Sequence, residues 1–217
     1  MKQCLQTKIS IFEEINKKVN FKALNCRPSN QWCILMKLDL KEFYKLLVRP
    51  TVVVSTISPN GVSNAAPFSW NSPMATQPMP LFGFCSSVSH DTWRNIKENG
   101  EFVVNLVGEE FGSLMEIMER DYPYETSEIK ECGLTEIDAT HIKPPRIEEA
   151  FAWLECKMTE QVSLSERNVW IIGEVLEAEV KDEAFLEVVD VEKVKPLNHI
   201  WGEAFVKDMK ITRFKRA

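Results

Sequence analysis

The chain has 217 residues, 44% of them hydrophobic and 27% charged, a balance that suits one globular domain with a sizeable core. Its net charge of -6 argues against the clustered basic surface of a nucleic-acid binder. No apolar run reaches the roughly 20 residues that cross a bilayer, and the N-terminus lacks a signal-peptide block, so we expect a cytoplasmic protein with no nucleic-acid and no membrane partner.

Residues 1–35 show no sustained hydrophobic period, apart from an amphipathic piece at Ile9, Phe12, Ile15 and Val19. A cleaner pattern begins at Met36. Leu40, Phe43, Tyr44 and Leu47 fall at helical spacing, Asp39 stands in the N-cap position and Pro50 marks the end. We therefore expect residues 1–35 to be a poorly defined extension ahead of a translation start at Met36, and residues 36–217 to be the folded domain.

Next comes the stretch on which the chain is organised. Residues 51–57 are a β-branched run, Ser58-Pro59-Asn60-Gly61 is strong turn chemistry and residues 62–68 are extended again, which predicts a β-hairpin. Residues 69–80 read as a loop and 81–85 as a third strand. Residues 91–98 predict a short helix that buries Trp93 and Ile96 and closes at Asn99-Gly100, followed by a strand over 101–107. Phe111, Leu114, Met115 and Met118 predict a second helix, and 121–130 a loop or lid.

Residues 150–164 and 169–180 form a second, longer hairpin about the Ser165–Asn168 turn. Within it Leu154, Cys156 and Met158 make a dry face, and Glu155, Lys157 and Thr159 a wet one. A short turn and two strand-like pieces end the chain. Strands in hairpins with only short helices predict a mainly β, antiparallel barrel.

The six cysteines, Cys4, Cys26, Cys33, Cys85, Cys132 and Cys156, contain no C-x-x-C pair, and His90, His141 and His199 lie far apart. Neither a disulfide framework nor a metal site is signalled. Glycine-rich nucleotide loops, the hydrolase elbow and the zinc-protease motif are missing as well.

Two stretches remain for chemistry. Asn64-Ala65-Ala66-Pro67-Phe68-Ser69-Trp70-Asn71 joins amide and hydroxyl donors to small residues, a mixture that lets backbone approach a flat heteroaromatic ring. An Asx turn at a strand end accounts for the same residues. The helix that starts near Ser89–Thr92 points free amides outward, where they and the hydroxyls of Ser86, Ser89 and Thr92 suit a phosphate. His90 adds charge when protonated, whereas Asp91 is expected to cap its own helix. An ordinary capped helix is the competing reading.

The segments RPTVVVSTISPNGVSNAAPFSW and PLFGFCSSVSHDTWRNIKENGEFVVNLV, in that order, resemble the flavin reductase-like, FMN-binding split-barrel family, which includes the flavoredoxins. The resemblance runs from about Met36 to the C-terminus. It implies an antiparallel split β-barrel, a homodimer and one FMN per subunit. By position, Thr56, Asn64, Ala65, Ala66 and Ser69 would line the ring and ribityl region, and Ser86, His90, Asp91 and Thr92 the phosphate. His90 stands where the family usually has lysine, so phosphate binding is expected to weaken from about pH 6 to 8. His199, in the tail segment with Trp201, is the candidate catalytic residue beside the flavin or its substrate.

The function expected is an FMN-dependent oxidoreductase that takes electrons from NADH, NADPH or a reduced redox partner protein. The acceptor would be a flavin, an iron complex, oxygen or a protein. An electron carrier without its own nicotinamide site is the alternative. Both are compatible with a chain that shows no acid, base or nucleophile array, because the cofactor carries the electrons.

Overall fold

The computed structural model describes residues 21–23 and 34–215, and the chain divides into two compact units, residues 1–47 and 48–217. In the first unit, β1 (Phe21–Ala23) pairs antiparallel with β2 (Ile34–Met36). The expected helix near residue 40 is a 3-10 helix, Leu40–Leu46, and Asp39 does cap it by accepting from the Lys41 amide. It buries no residue, so its apolar spacing lacked the tertiary packing that favours a full α-helix. Cys4, Cys26, Cys33 and the amphipathic piece at 9–19 lie outside the described residues, as does most of the expected extension.

The second unit is a seven-stranded antiparallel sheet with the order β5-β4-β8-β11-β12-β7-β6. Its strands are β4 (Val52–Ile57), β5 (Ser63–Phe68), β6 (Asn71–Ala75), β7 (Leu81–Ser87), β8 (Glu101–Leu106), β11 (Ala152–Ser163) and β12 (Asn168–Val180). Short strands complete the unit: β3 (Arg49–Pro50) with β13 (Asn198–Trp201) and β14 (Ala204–Val206), and β9 (Glu136–Ile137) with β10 (Arg146–Ile147). The four α-helices among the described residues are α1 (Asp91–Asn99), α2 (Met115–Met118), α3 (Glu128–Glu131) and α4 (Val191–Val194). No described helix is long and apolar enough to cross a membrane.

Both expected hairpins form. Val52 faces Phe68 and Thr56 faces Asn64 across the first, and Gly61, at φ 80°, supplies the left-handed residue of its turn. The second pairs Ala152 with Val180 and Ser163 with Val169. The β-branched run of β4 is buried on both faces. Val52 and Val54 join Phe84, Phe102, Trp93 and Ile96 in the barrel interior, while Val53 joins Phe111, Met115, Met118, Ile129 and Trp153 in a second cluster. A strand between two apolar layers needs no polar alternation, which is why the run is continuous.

Three local readings change. Residues 69–80 are not all loop, because 71–75 form β6; Pro73 is tolerated there since β6 ends the sheet. The second helix is a 3-10 turn, Glu109–Leu114, leading into the one-turn α2. Glu155 is not on a wet face. It is completely buried, whereas Lys157 and Thr159 are exposed, because the segment before β10 crosses that side of the sheet and brings Arg146 to it.

Candidate functional site

Helix α1 begins where β7 ends, and its start is the sharpest local feature of the site. His90 occupies the N-cap in an extended conformation but its side chain makes no capping bond, so Asp91 is the first helical residue and not the cap. The opening amides of the helix have no acceptor one turn back and are free to face a ligand. Gly100, at φ 75°, ends the helix with its amide on the Ile96 carbonyl, which fixes where the next strand starts.

A cleft of about 410 Å³ lies between this helix start, the second half of β5 and residues 118–122. Asn64, Ala66, His90, Asp91 and Thr92 all line it, together with Pro67, Tyr122 and Glu128. Its walls carry the carboxyl groups of Asp91, Glu119, Asp121 and Glu128 against Arg120 and His90. Burial lowers the His90 pKa from its ordinary 6.5, and neighbouring Asp91 only partly offsets this. At neutral pH the uncharged imidazole is therefore the dominant form.

Beneath the cleft runs a directional chain of hydrogen bonds. Tyr124 donates to Asn95 Oδ1 at 2.6 Å, Asn95 donates to Thr56 at 3.0 Å, and Thr56 and Thr92 donate to Asn64 Oδ1 at 3.2 and 3.1 Å. Asn64 Nδ2 and the Ala65 amide then both donate to Glu128 Oε2, at 3.0 and 3.1 Å. Every donor in the chain points toward one carboxyl group, an arrangement in which each bond polarises the next. Burial raises the Glu128 pKa, partly offset by its own amide, Ala65 and Asn64, and Asp91 adds to the rise.

A second cleft, about 1160 Å³, shares Pro67 and Glu119 with the first. Ser69 and His199 meet there at 3.2 Å, Ser69 to Nδ1, and Thr51 lies 3.0 Å from Ser69. The Nε2 of His199 faces the Gly202 carbonyl at 3.0 Å, so in the neutral ring Nε2 carries the proton and Nδ1 accepts from Ser69. Both nitrogens of His199 are thus engaged, and its ring lies 4.8 Å from that of Phe205. Trp201 is 52% exposed on the wall of this cleft.

Thr56, Ala65 and Ser86 line neither cleft. Thr56 and Ala65 are fully buried and Ser86 is nearly so, with its hydroxyl on the Ser87 carbonyl. The role of Thr56 is to hold Asn64, and the Ala65 amide is already spent on Glu128. Sequence reasoning missed Glu128 and the wall at 118–122. The only signal was the acidic and aromatic composition of 121–130, which pointed to a covering segment without naming a residue. Among the described residues no group of His, Cys, Asp and Glu is placed to hold a metal ion.

The fold has counterparts among known proteins. Component B of nitrilotriacetate monooxygenase from Bacillus cereus is similar at 26% identity with a TM-score of 0.73, over 88% of this chain and 98% of that one. The 2-nitrobenzoate 2-nitroreductase NbaA of Pseudomonas fluorescens is similar at 28% identity and 0.72, over 83% and 93%. Flavoredoxin of Desulfovibrio vulgaris shares the fold at 19% identity and 0.72, over 82% and 97%. The flavin reductase like domain matches residues 44–201. With its antiparallel split barrel and its cleft at the start of α1, the chain belongs to the flavin reductase like domain family.

Proposed function

We propose that this protein is an FMN-dependent oxidoreductase that acts as a homodimer and passes electrons from NADH, NADPH or a reduced protein to an acceptor at the second cleft. The observation that carries this reading is the meeting of the two clefts at Pro67 and Glu119, one beside a helix start and the other large enough for a ring and a second reactant. The residues fit the cofactor. The free amides at the start of α1 suit a phosphate, Ala66 leaves room beside the backbone, and Asn64 is held rigid by Thr56 and Thr92. When bound, the flavin supplies the electron-accepting centre. The chain's own residues orient it, and Ser69 is held by Thr51 and His199 at the wall of the second cleft.

Two solved relatives above 25% identity are a monooxygenase component and a nitroreductase, and both match over nearly their full length, which favours an enzyme. One observation favours a carrier reduced by another protein. The second cleft carries Glu109, Glu110, Glu116, Glu119 and Glu203 against Lys207, a field that repels the pyrophosphate of a nicotinamide dinucleotide. The visible spectrum of the purified protein, repeated after anaerobic NADH and NADPH, separates the two. Flavin bands that bleach support the enzyme, bands that persist support the carrier, and a colourless protein that ignores added FMN overturns both.

A further inference from the structure

A phosphate bound in the first cleft meets an unfavourable field. Carboxyl groups on Asp91, Glu119 and Asp121 share its walls, together with that of Glu128, which burial pushes toward its neutral form. The histidine at the usual lysine position does not compensate, because burial keeps it mainly neutral and its Nδ1 lies 3.5 Å from the Ser86 hydroxyl. Nor does Arg94, one turn into α1, since its guanidinium is stacked 3.7 Å above the Tyr124 ring and it does not line the cleft. Among the described lining residues, Arg120 is the one whose charge is permanent.

Arg120 is placed to move. It lies just past the end of α2, and its guanidinium donates to Glu116 at 3.2 Å, with side chains 54% and 86% exposed, and also meets the side chain of Tyr122, itself a lining residue of the cleft. A pair this open is weakly held, and a phosphate dianion is the stronger partner for a guanidinium fork. We propose that Arg120, not His90, supplies the positive charge for the cofactor phosphate, exchanging the Glu116 carboxylate for the phosphate oxygens when FMN enters the cleft. Affinity then comes from a residue on the 118–122 wall, so the same contact that holds the phosphate draws residues 118–122 against the start of α1. The proposal rests on the flavin reading given above.

The test compares FMN with riboflavin, which has the same ring and no phosphate, by quenching of flavin fluorescence at low salt. The wild-type protein is expected to prefer FMN. Arg120→Gln should lower FMN affinity by about tenfold or more and leave riboflavin unchanged, so that the preference collapses. Glu116→Gln should raise the preference by removing the competing carboxylate and leaving Arg120 only its Tyr122 contact, and His90→Gln should hold it within about twofold. A preference that survives Arg120→Gln, or one that His90→Gln abolishes, overturns the proposal. Equal wild-type affinity for the two flavins overturns it while leaving the flavin reading intact. A wild-type protein that binds neither overturns both.

Discussion

Two buried glutamates set the structural and functional halves of this domain apart. Glu155 is fully buried on β11, and its carboxylate receives the Thr140 and His141 amides at 2.7 Å each and the Arg146 guanidinium at 2.8 Å. Burial pushes its pKa up, but those donors and the arginine outweigh it and hold the carboxyl below its ordinary range. Glu128, 7% exposed, has its own amide and those of Ala65 and Asn64 as donors but no cation in its hydrogen-bond shell, and burial prevails. The first carboxylate is charged and locks the segment before β10 onto the sheet. The second is pushed toward its neutral form at the wall of a cleft. Desolvation and amide donors are common to both, so the arginine beside Glu155 and the carboxylate of Asp91 near Glu128 are what separate them.

The largest break in that comparison is Arg146→Met, which leaves Glu155 buried without its cation. It should cost about 3–5 kcal/mol of stability in urea unfolding. A loss below ~1 kcal/mol would mean that the two backbone amides suffice. Asn64→Leu attacks the other side. It strips the acceptor from Thr56 and Thr92 and one donor from Glu128, at about 1–3 kcal/mol, and should weaken FMN binding in the same variant. Unchanged stability and unchanged affinity together would show that Asn64 does not organise the cleft.

Smaller effects sharpen the contrast through pH. The folded pKa of Glu155 lies below its ordinary 4.5, so its contribution is present above that value and lost as pH falls through the folded value. Glu128 runs the other way. Its folded pKa lies above 4.5, so its contribution is complete below that value and lost as pH rises through the folded one. Glu128→Gln, which keeps an acceptor for Asn64 and Ala65, should therefore gain on the order of 1 kcal/mol over wild type at neutral pH and lose the advantage in acid. Unfolding free energies of both proteins at pH 4 and pH 7.5 give the sign directly, and the same offset at both would refute the assignment.

The smallest expected effect concerns His90. A histidine at the lysine position leads one to expect FMN retention to weaken between about pH 6 and 8. Burial moves its titration below 6.5, so its share of the change falls in acid. Titrations at pH 6.5 and 8 should agree within about twofold. A steep decline across that interval would restore His90 to the phosphate.

Much of the site was legible because its landmarks are local. Turn residues placed the first hairpin, and the Asn99-Gly100 stop placed the end of α1, each within a residue or two of the observed bounds. Asn64, Ala66, His90, Asp91 and Thr92 came together in one cleft because β5 and the helix start each carry a compact motif. Ser69 and His199 were also named, yet their pairing across 130 positions could not be read from either neighbourhood. Thr56, Ala65 and Ser86 were placed on the right elements but face inward, since one residue of register decides which side of a strand a group meets.

The sequence by itself determined what short-range chemistry controls: where the hairpins turn, where α1 stops, that the strands alternate as antiparallel pairs, and the family in which such motifs occur together. Tertiary structure alone decided that Glu155 is buried against Arg146, that β6 can hold a proline at the sheet edge, and that Glu128 and Arg120 face the cleft. These depend on which distant segment crosses a given face. Burial and pairing across such distances set the charge of a carboxyl group, and no local pattern carries that information.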